Sequence, residues 1–329
     1  MSNLEKHPVE LLLDDEPPVR ASVEILEPRD VPLGGPRAMS VRRTLPQRSR
    51  SLIGAWCFVD HYGPDVVADR GGMVVPPHPH TGLQTVSWLF AGEIDHRDSV
   101  GSHAPVRPGE LNLMTAGAGI AHSEVSTAST TVLHGAQLWV ALPEGARHAA
   151  PAFEHYVPPV VAFGAAAVRV FMGSLLGSTS PALAFTPLVG AQLDLAPYAD
   201  IELPVDAAFE HGLLLDSGSL GVDGDNVPVS HLAYREPGAS ALRLVAGAEG
   251  ARVLLIGGAP FGERIIMWWN FIGRTHEEVV GFRDEWMSDV VAGTRGDGRF
   301  GTVAGYDGRP LPAPELPGVR LRPRGQGPT

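Results

Sequence analysis

The chain has 329 residues, 44% of them hydrophobic, enough for two domains with buried cores. With 25 basic against 37 acidic residues its net charge is −12, which makes it a poor general binder of DNA or RNA, because neutralising phosphates needs lysine and arginine. Cys57 is the single cysteine, so no internal disulfide can form, as in a reducing cytoplasm, and no apolar run approaches the roughly 18 residues that span a bilayer.

Residues 1–20 are polar, acidic and punctuated by proline. They lack the pattern of a secretion signal and read as a disordered segment. From residue 21 to about 145, short apolar runs alternate with glycine and proline: "SLIGAWCFVDHYGP", "GLQTVSWLFAGEI", "GELNLMTAG" and "TVLHGAQLWVALP". This is the texture of short strands joined by tight turns. Within "LQTVSWLF", Leu83, Thr85, Ser87 and Leu89 alternate with Gln84, Val86, Trp88 and Phe90. Both sets are largely apolar, the pattern of a strand covered on both faces. Upstream, "RAMSVRRTLPQRSR" carries five arginines and no acid, and reads mainly as the solvated side of strands. Cys57, between Trp56 and Phe58, reads as a packed core thiol.

Residues 144–165 read as a connector. A second β-rich region follows, with the rhythm strand, glycine turn, strand, and a texture like that of the first. The best helix spans about 276–292. Thr275 and Glu278 form a capping box, Val279, Phe282, Trp286 and Val290 share one face, and Gly293 is a stop. Residues 296–329 read as an extended tail.

The chemistry-bearing residues come in pairs. His78 and His80 flank Pro79. In a strand, side chains at i and i+2 point the same way, so both imidazoles share a face. His122 and Glu124 repeat this spacing. Two such pairs on facing strands of a small barrel would converge on one point. Three neutral imidazoles and a carboxylate suit a divalent first-row metal, with room for two further ligands. The alternative is four polar residues near turns, hydrogen-bonded to backbone or solvent, and spacing alone leaves both open. His61, and His96 with Asp98, are candidates for the pocket or for supporting the ligands. His103 and His134 read as structural. The second half has His211 and His231 but no paired motif, so no metal is expected there.

The blocks "PPHPHTGLQTVSWLFAGEIDHRDSVG", "PGELNLMTAGAGIAHSE" and "LHGAQLWVALP" resemble the signature blocks of the pirins, and the likeness covers roughly residues 22–295. It implies an all-β chain of two cupin barrels of jelly-roll type, metal-binding over 21–145 and metal-free over 146–295, with a short C-terminal helix. Carried over residue by residue, the implied ligands are His78, His80, His122 and Glu124. They would hold one divalent ion, iron(II) foremost, with copper, nickel, manganese, cobalt or zinc as alternatives. Where the broader cupin pattern has a glutamate ligand this chain has Gln84, a poor ligand, which falls instead among the pocket or supporting residues. Two extra residues also separate Gly117 from His122. Two functions are implied. One is a dioxygenase of quercetinase type, which opens a flavonol ring with O₂ and uses Glu124 as the base. The other is a redox-sensing regulator that acts through a protein partner. The dioxygenase is the expectation carried forward, with no direct role on nucleic acid.

Overall fold

The computed structural model describes residues 23–32, 39–70 and 72–325. The segment 1–20 lies outside the described residues. Strands dominate and only one α-helix, His276–Glu285, occurs among them. Among the described residues no helix is long and apolar enough to cross a membrane.

The first half holds two sheets. A seven-stranded sheet runs, in spatial order, Ala152–Tyr156, Leu111–Thr115, Leu83–Ala91, Val132–Ala141, Trp56–Val66, Ser40–Leu45 and Arg29–Pro32. A four-stranded sheet runs Val74–His80, Ile120–Ser126, Ile94–Asp98 and His103–Val106. The second half is a ten-stranded antiparallel system built around Glu210–Val222 and Ala241–Gly258. The all-β jelly-roll character read from the sequence is what the chain adopts. The interior of the second half is filled with aliphatic side chains, among them Val168, Leu193, Leu213, Leu215, Val253 and Leu255.

The halves exchange strands. Glu24–Leu26, at the start of the chain, pairs with Leu232–Arg235 in the second sheet system. Ala152–Tyr156, from the expected connector, pairs back onto Leu111–Thr115 in the first. The strand Leu83–Ala91 shows why the halves cannot be parted cheaply. Ser87 and its same-facing neighbours look into the first half, while Val86 and Trp88 join a hydrophobic cluster that continues through Phe171 to Leu214 and Leu254. Trp88 Nε1 donates to Gln192 Oε1 at 2.8 Å, and Trp56 Nε1 to the Gly257 carbonyl at 3.0 Å. Backbones approach closely where Gly54 meets Gly258. A Cβ on Gly54 would lie 2.8 Å from Gly258 Cα, and its φ of +51° is itself a glycine conformation.

A buried polar knot crosses this junction. Asp216 Oδ1, from the second half, lies 2.7 Å from His61 Nε2 and 2.6 Å from His134 Nε2, both from the first. Its other oxygen pairs with Arg252 Nε at 3.1 Å. Burial would raise the Asp216 carboxyl, but the hydrogen bonds from His134 and His61 outweigh it and hold the group below the usual carboxylate range. Burial also lowers His61, against the pull of Asp216, so that ring favours its neutral form.

The basic stretch departs from its reading as a solvated face. Arg43 lies 4.2 Å over the Phe58 ring and Arg50 lies 3.3 Å over Tyr234, both partly buried and ion-paired. Guanidinium planes stack on aromatic faces, a preference that net charge does not reveal.

The helix begins with the predicted capping box, Thr275 with Glu278, and Val279 and Phe282 are buried. It continues as a π-turn over Trp286–Val291. This element packs with the hairpin of Ile266–Trp268 and Phe271–Gly273 and with Ala121 of the four-stranded sheet. The tail carries almost no strand but is not free. Phe300 and Ala313 are buried, and the Leu311 amide donates to the Pro77 carbonyl at 2.8 Å.

Asp216→Asn should destabilise the folded chain by about 3 kcal/mol, the low end for breaking a buried ion pair, because Arg252 keeps 31% of its side chain exposed. Asp216 is depressed, so its contribution is complete above its unfolded pKa of about 4 and fades as pH falls through the folded value. His61 is also depressed, so its contribution fades as pH falls below about 6.5. Denaturant unfolding of wild type and variant from pH 7 to pH 2 should show the gap undiminished down to about pH 4 and narrowing below it. Equal stability at pH 7 would refute this role.

Candidate metal centre

His78 and His80 lie on Val74–His80, and His122 and Glu124 on Ile120–Ser126. The spacing suggested facing strands. The two are instead hydrogen-bonded neighbours in the four-stranded sheet. Their antiparallel register sets His122 directly opposite His78 and Ile120 opposite His80. A bulge between His122 and Glu124 then brings Glu124 opposite Val75. Opposed residues share a face, so the two pairs are aimed together. A third pair follows on Ile94–Asp98, where Glu124 stands opposite His96 and His122 opposite Asp98. Three adjacent strands thus present His-x-His, His-x-Glu and His-x-Asp to one side. All six side chains are buried, with Glu124, at 9% exposed, the most accessible.

The hydrogen bonds assign the ring protons. His78 Nδ1 lies 2.9 Å from the Pro76 carbonyl and must donate to it, which leaves a lone pair on Nε2. Asp98 Oδ1 accepts from the amides of Val100 and Ser102 at 3.1 and 2.9 Å, and Asp98 Oδ2 lies 3.2 Å from His96 Nε2. Burial would raise Asp98, but these bonds, led by His96, hold it below its ordinary value, so it is an anion and His96 Nε2 donates. When the His96 ring is neutral its Nδ1 is an acceptor, and His122 Nδ1, 3.4 Å away, donates to it. That leaves a lone pair on His122 Nε2, which faces His80 Nε2 at 3.1 Å. His80 Nδ1 meets no partner at full hydrogen-bond geometry, but the Asn270 carbonyl lies close enough to favour a proton on that ring.

Lone pairs facing at that distance repel unless something positive lies between them. A proton on one of the two nitrogens would make the contact a hydrogen bond, but a second proton on either ring is disfavoured. Burial, with His96 nearby, lowers His78 to about 4, and burial with mutual repulsion takes His80 and His122 well below the ordinary imidazole value. Neutral imidazoles are the ligand form, so the donor set fits a divalent metal. The ligand atoms of His78, His80 and His122 lie within 4.8 Å of one another. Glu124 forms such a group with His122 and His96, and so reaches the cluster from the His122 side. Burial raises the Glu124 carboxyl, opposed by His96 and by a 3.3 Å hydrogen bond from Ser87 Oγ.

The four residues open onto a pocket of about 450 Å³. Phe58 and Trp139 form part of its wall, stacked at 3.9 Å, with Arg43 held over Phe58 by a bidentate pair to Asp60 at 2.6 and 2.7 Å. Met267, Trp269, Asn270 and Leu311 close another side from the C-terminal segment. Sequence reading missed these walls. Nothing local marks a residue that reaches the pocket from some 190 positions away in the chain.

Of the supporting candidates, His96 lies beside the cluster, whereas His61 and Gln84 do not line the pocket. Gln84 is on the opposite face of its strand from Ser87 and donates to Thr115 Oγ1 and the Leu183 carbonyl. His61 and His134 belong to the knot on Asp216. His103 is exposed beside Asp95, His231 bonds the Val229 carbonyl, and His211 is buried and lowered to about 4 by desolvation. Neither His211 nor His231 joins a group of three potential ligands among the described residues.

Comparison with known proteins adds to this geometry. Residues 38–140 match the family model described as Pirin, and residues 190–290 the one described as Pirin C-terminal cupin domain. A Pseudomonas aeruginosa protein provisionally named a quercetin 2,3-dioxygenase is 43% identical over 291 residues, 88% of this chain and 89% of that protein. The crystal structure of a quercetin 2,3-dioxygenase from Acinetobacter baumannii aligns with a TM-score of 0.84 at 38% identity, over 91% of this chain and 97% of that one. A bacterial pirin from Escherichia coli, crystallised with nickel(II), shares the fold at a TM-score of 0.57 and 18% identity, over 72% of this chain and 99% of that one.

Two variants test the centre. His80→Ala should leave less than about a tenth of the wild-type metal content while far-ultraviolet circular dichroism stays unchanged, because one of few ligands is gone. His96→Phe keeps every proposed ligand but frees the His122 ring, and should weaken metal binding about 10–100-fold. Competition with a chelator of known affinity measures both. Wild-type metal content in His80→Ala would refute the ligand set.

Proposed function

The chain belongs to the pirin family, and on that premise we propose that it is a metal-dependent dioxygenase that opens the ring of a flavonol with O₂. One observation carries the reading: three buried imidazoles lie together, a buried carboxylate reaches one of them, and all four side chains line a partly aromatic pocket. At about 450 Å³ the pocket falls within the usual range for small-molecule sites, about 300–1,000 Å³.

His78, His80, His122 and Glu124 would hold the metal, with iron(II) the first choice. The nickel(II) complex of a pirin of the same fold supports a divalent ion without choosing among metals. When bound, the metal supplies a Lewis-acid centre that lowers the pKa of a coordinated hydroxyl and brings substrate and O₂ together.

The chain's own residues do the rest. Glu124 is the proton acceptor. Its raised affinity for protons, a consequence of burial, suits it to take the proton of the flavonol 3-hydroxyl. Ser87 Oγ holds one carboxylate oxygen in place and also reaches Gln137 Oε1 at 3.0 Å. Trp139 and the rim of Phe58 line one wall, and the Arg43–Asp60 pair keeps that wall rigid. The low exposure of the ligand set keeps bulk water away from the deprotonated substrate. These residues line a concave pocket and not a broad surface, which favours a small substrate over a regulator that works through a protein partner.

Glu124→Gln should retain metal, more weakly, since an amide oxygen can still coordinate. Oxygen uptake with quercetin should fall about 100-fold or more, because the amide accepts no proton. A Clark-type electrode and metal analysis on the same preparation decide the matter. Wild-type turnover in the metal-loaded variant would remove the base role, and absence of oxygen uptake by metal-loaded wild type with any flavonol would remove the dioxygenase itself.

A further inference from the structure

Trp269 holds a backbone conformation that its own chemistry disfavours. Ile266–Trp268 and Phe271–Gly273 pair antiparallel with Trp268 opposite Phe271, so Trp269 and Asn270 form a two-residue hairpin turn. Trp269 has φ +52°, and Asn270 is not among the positive-φ residues. A hairpin with positive φ at its first turn position alone is the kind that calls for glycine there. A bulky side chain in that region is an outlier, and such outliers persist where the surroundings over-determine them.

The surroundings here are the ligand strand itself. The Ile272 amide donates to the Thr81 carbonyl at 3.0 Å, directly after His80, and Thr81 Oγ1 donates to the Ile272 carbonyl at 3.4 Å. Gly82, at φ +69°, lets the hairpin come close, since a Cβ there would lie 2.6 Å from the Ile272 carbonyl oxygen. The turn also brings the Asn270 carbonyl to the His80 ring. Glycine at 269 would serve all of these backbone contacts without strain. Only the indole needs the tryptophan, and the indole lines the pocket above the proposed ligands, 5.4 Å from the Phe271 ring.

We propose that Trp269 is the specificity-determining residue of this pocket: its indole packs on the fused planar rings of a chelating aromatic substrate and selects such compounds over single-ring chelators. The inference rests on the flavonol reading of the same site. Trp139 and the rim of Phe58 provide the other aromatic part of the wall, and Trp269 is the aromatic part that comes from outside the first-half sheets.

The test is anaerobic titration of the metal-loaded protein with quercetin and with catechol, followed by the ligands' absorbance. Trp269→Ala should weaken quercetin binding about tenfold or more and change catechol binding less than about twofold, since base–aromatic style stacking contributes that much per ring and catechol does not reach the wall. Trp269→Phe should return quercetin affinity to within about threefold of wild type. Trp269→Gly should lose quercetin as the alanine variant does, yet melt no lower than it, because glycine accepts the left-handed backbone. Metal affinity should stay at the wild-type level in all three.

Unchanged quercetin affinity in the alanine and glycine variants would overturn the proposal. So would parallel losses of metal and of both ligands, which would mark a structural role. A glycine variant that melts below the alanine variant would overturn the strain argument. Wild type that binds quercetin but consumes no oxygen would defeat the dioxygenase reading and leave Trp269 as the selecting residue. Wild type that binds catechol and not quercetin would defeat this proposal together with the choice of flavonol.

Discussion

The antiparallel pairing of His78 with His122 is the constraint on which the rest of the site depends. A strand sends alternate side chains to one face, and a shift of register by one residue would send all of them to the other. With that pair fixed, His80, His96 and Glu124 follow from the pleat and from one bulge. Three imidazoles are then driven together in a place too dry for them to become cationic. Burial and repulsion there are unfavourable for the bare protein, and a divalent cation would relieve both.

The scaffold keeps this register from slipping. The four-stranded sheet is covered on its back by the C-terminal hairpin, helix and tail, which share a cluster with Ala121. The tail also bonds Pro77, one residue before the first histidine, through the Leu311 amide. On the other side, strand exchange and the Asp216 knot tie the second half to the first. The second half, packed with aliphatic side chains, therefore acts as a support against which the pocket walls are held.

Much of this was legible in the sequence where the signal is local. The i, i+2 histidine pairs, the two-faced strand at 83–91 and the Thr275–Glu278 capping box each depend on neighbours a few positions apart. What could not be read depends on which strands meet. The His-x-His and His-x-Glu strands turned out adjacent and not facing, because strand order in a sheet is not written in any one segment. His61 looked like a pocket residue and belongs to a knot whose carboxylate, Asp216, lies 155 positions away. Gln84 occupies a position that suggests a ligand, but the pleat turns it to the junction between the halves. The tail reads as an extended segment, but its described apolar residues find partners on the metal sheet that composition cannot name.

Anomalous diffraction from crystals of the metal-loaded protein, recorded at the metal's absorption edge, tests the central claim most directly. The account predicts one strong peak per chain, about 2.0–2.2 Å from Nε2 of His78, His80 and His122 and from a Glu124 carboxylate oxygen. A peak at the His61–His134–Asp216 knot instead, or no peak in protein that consumes oxygen with a flavonol, would contradict it.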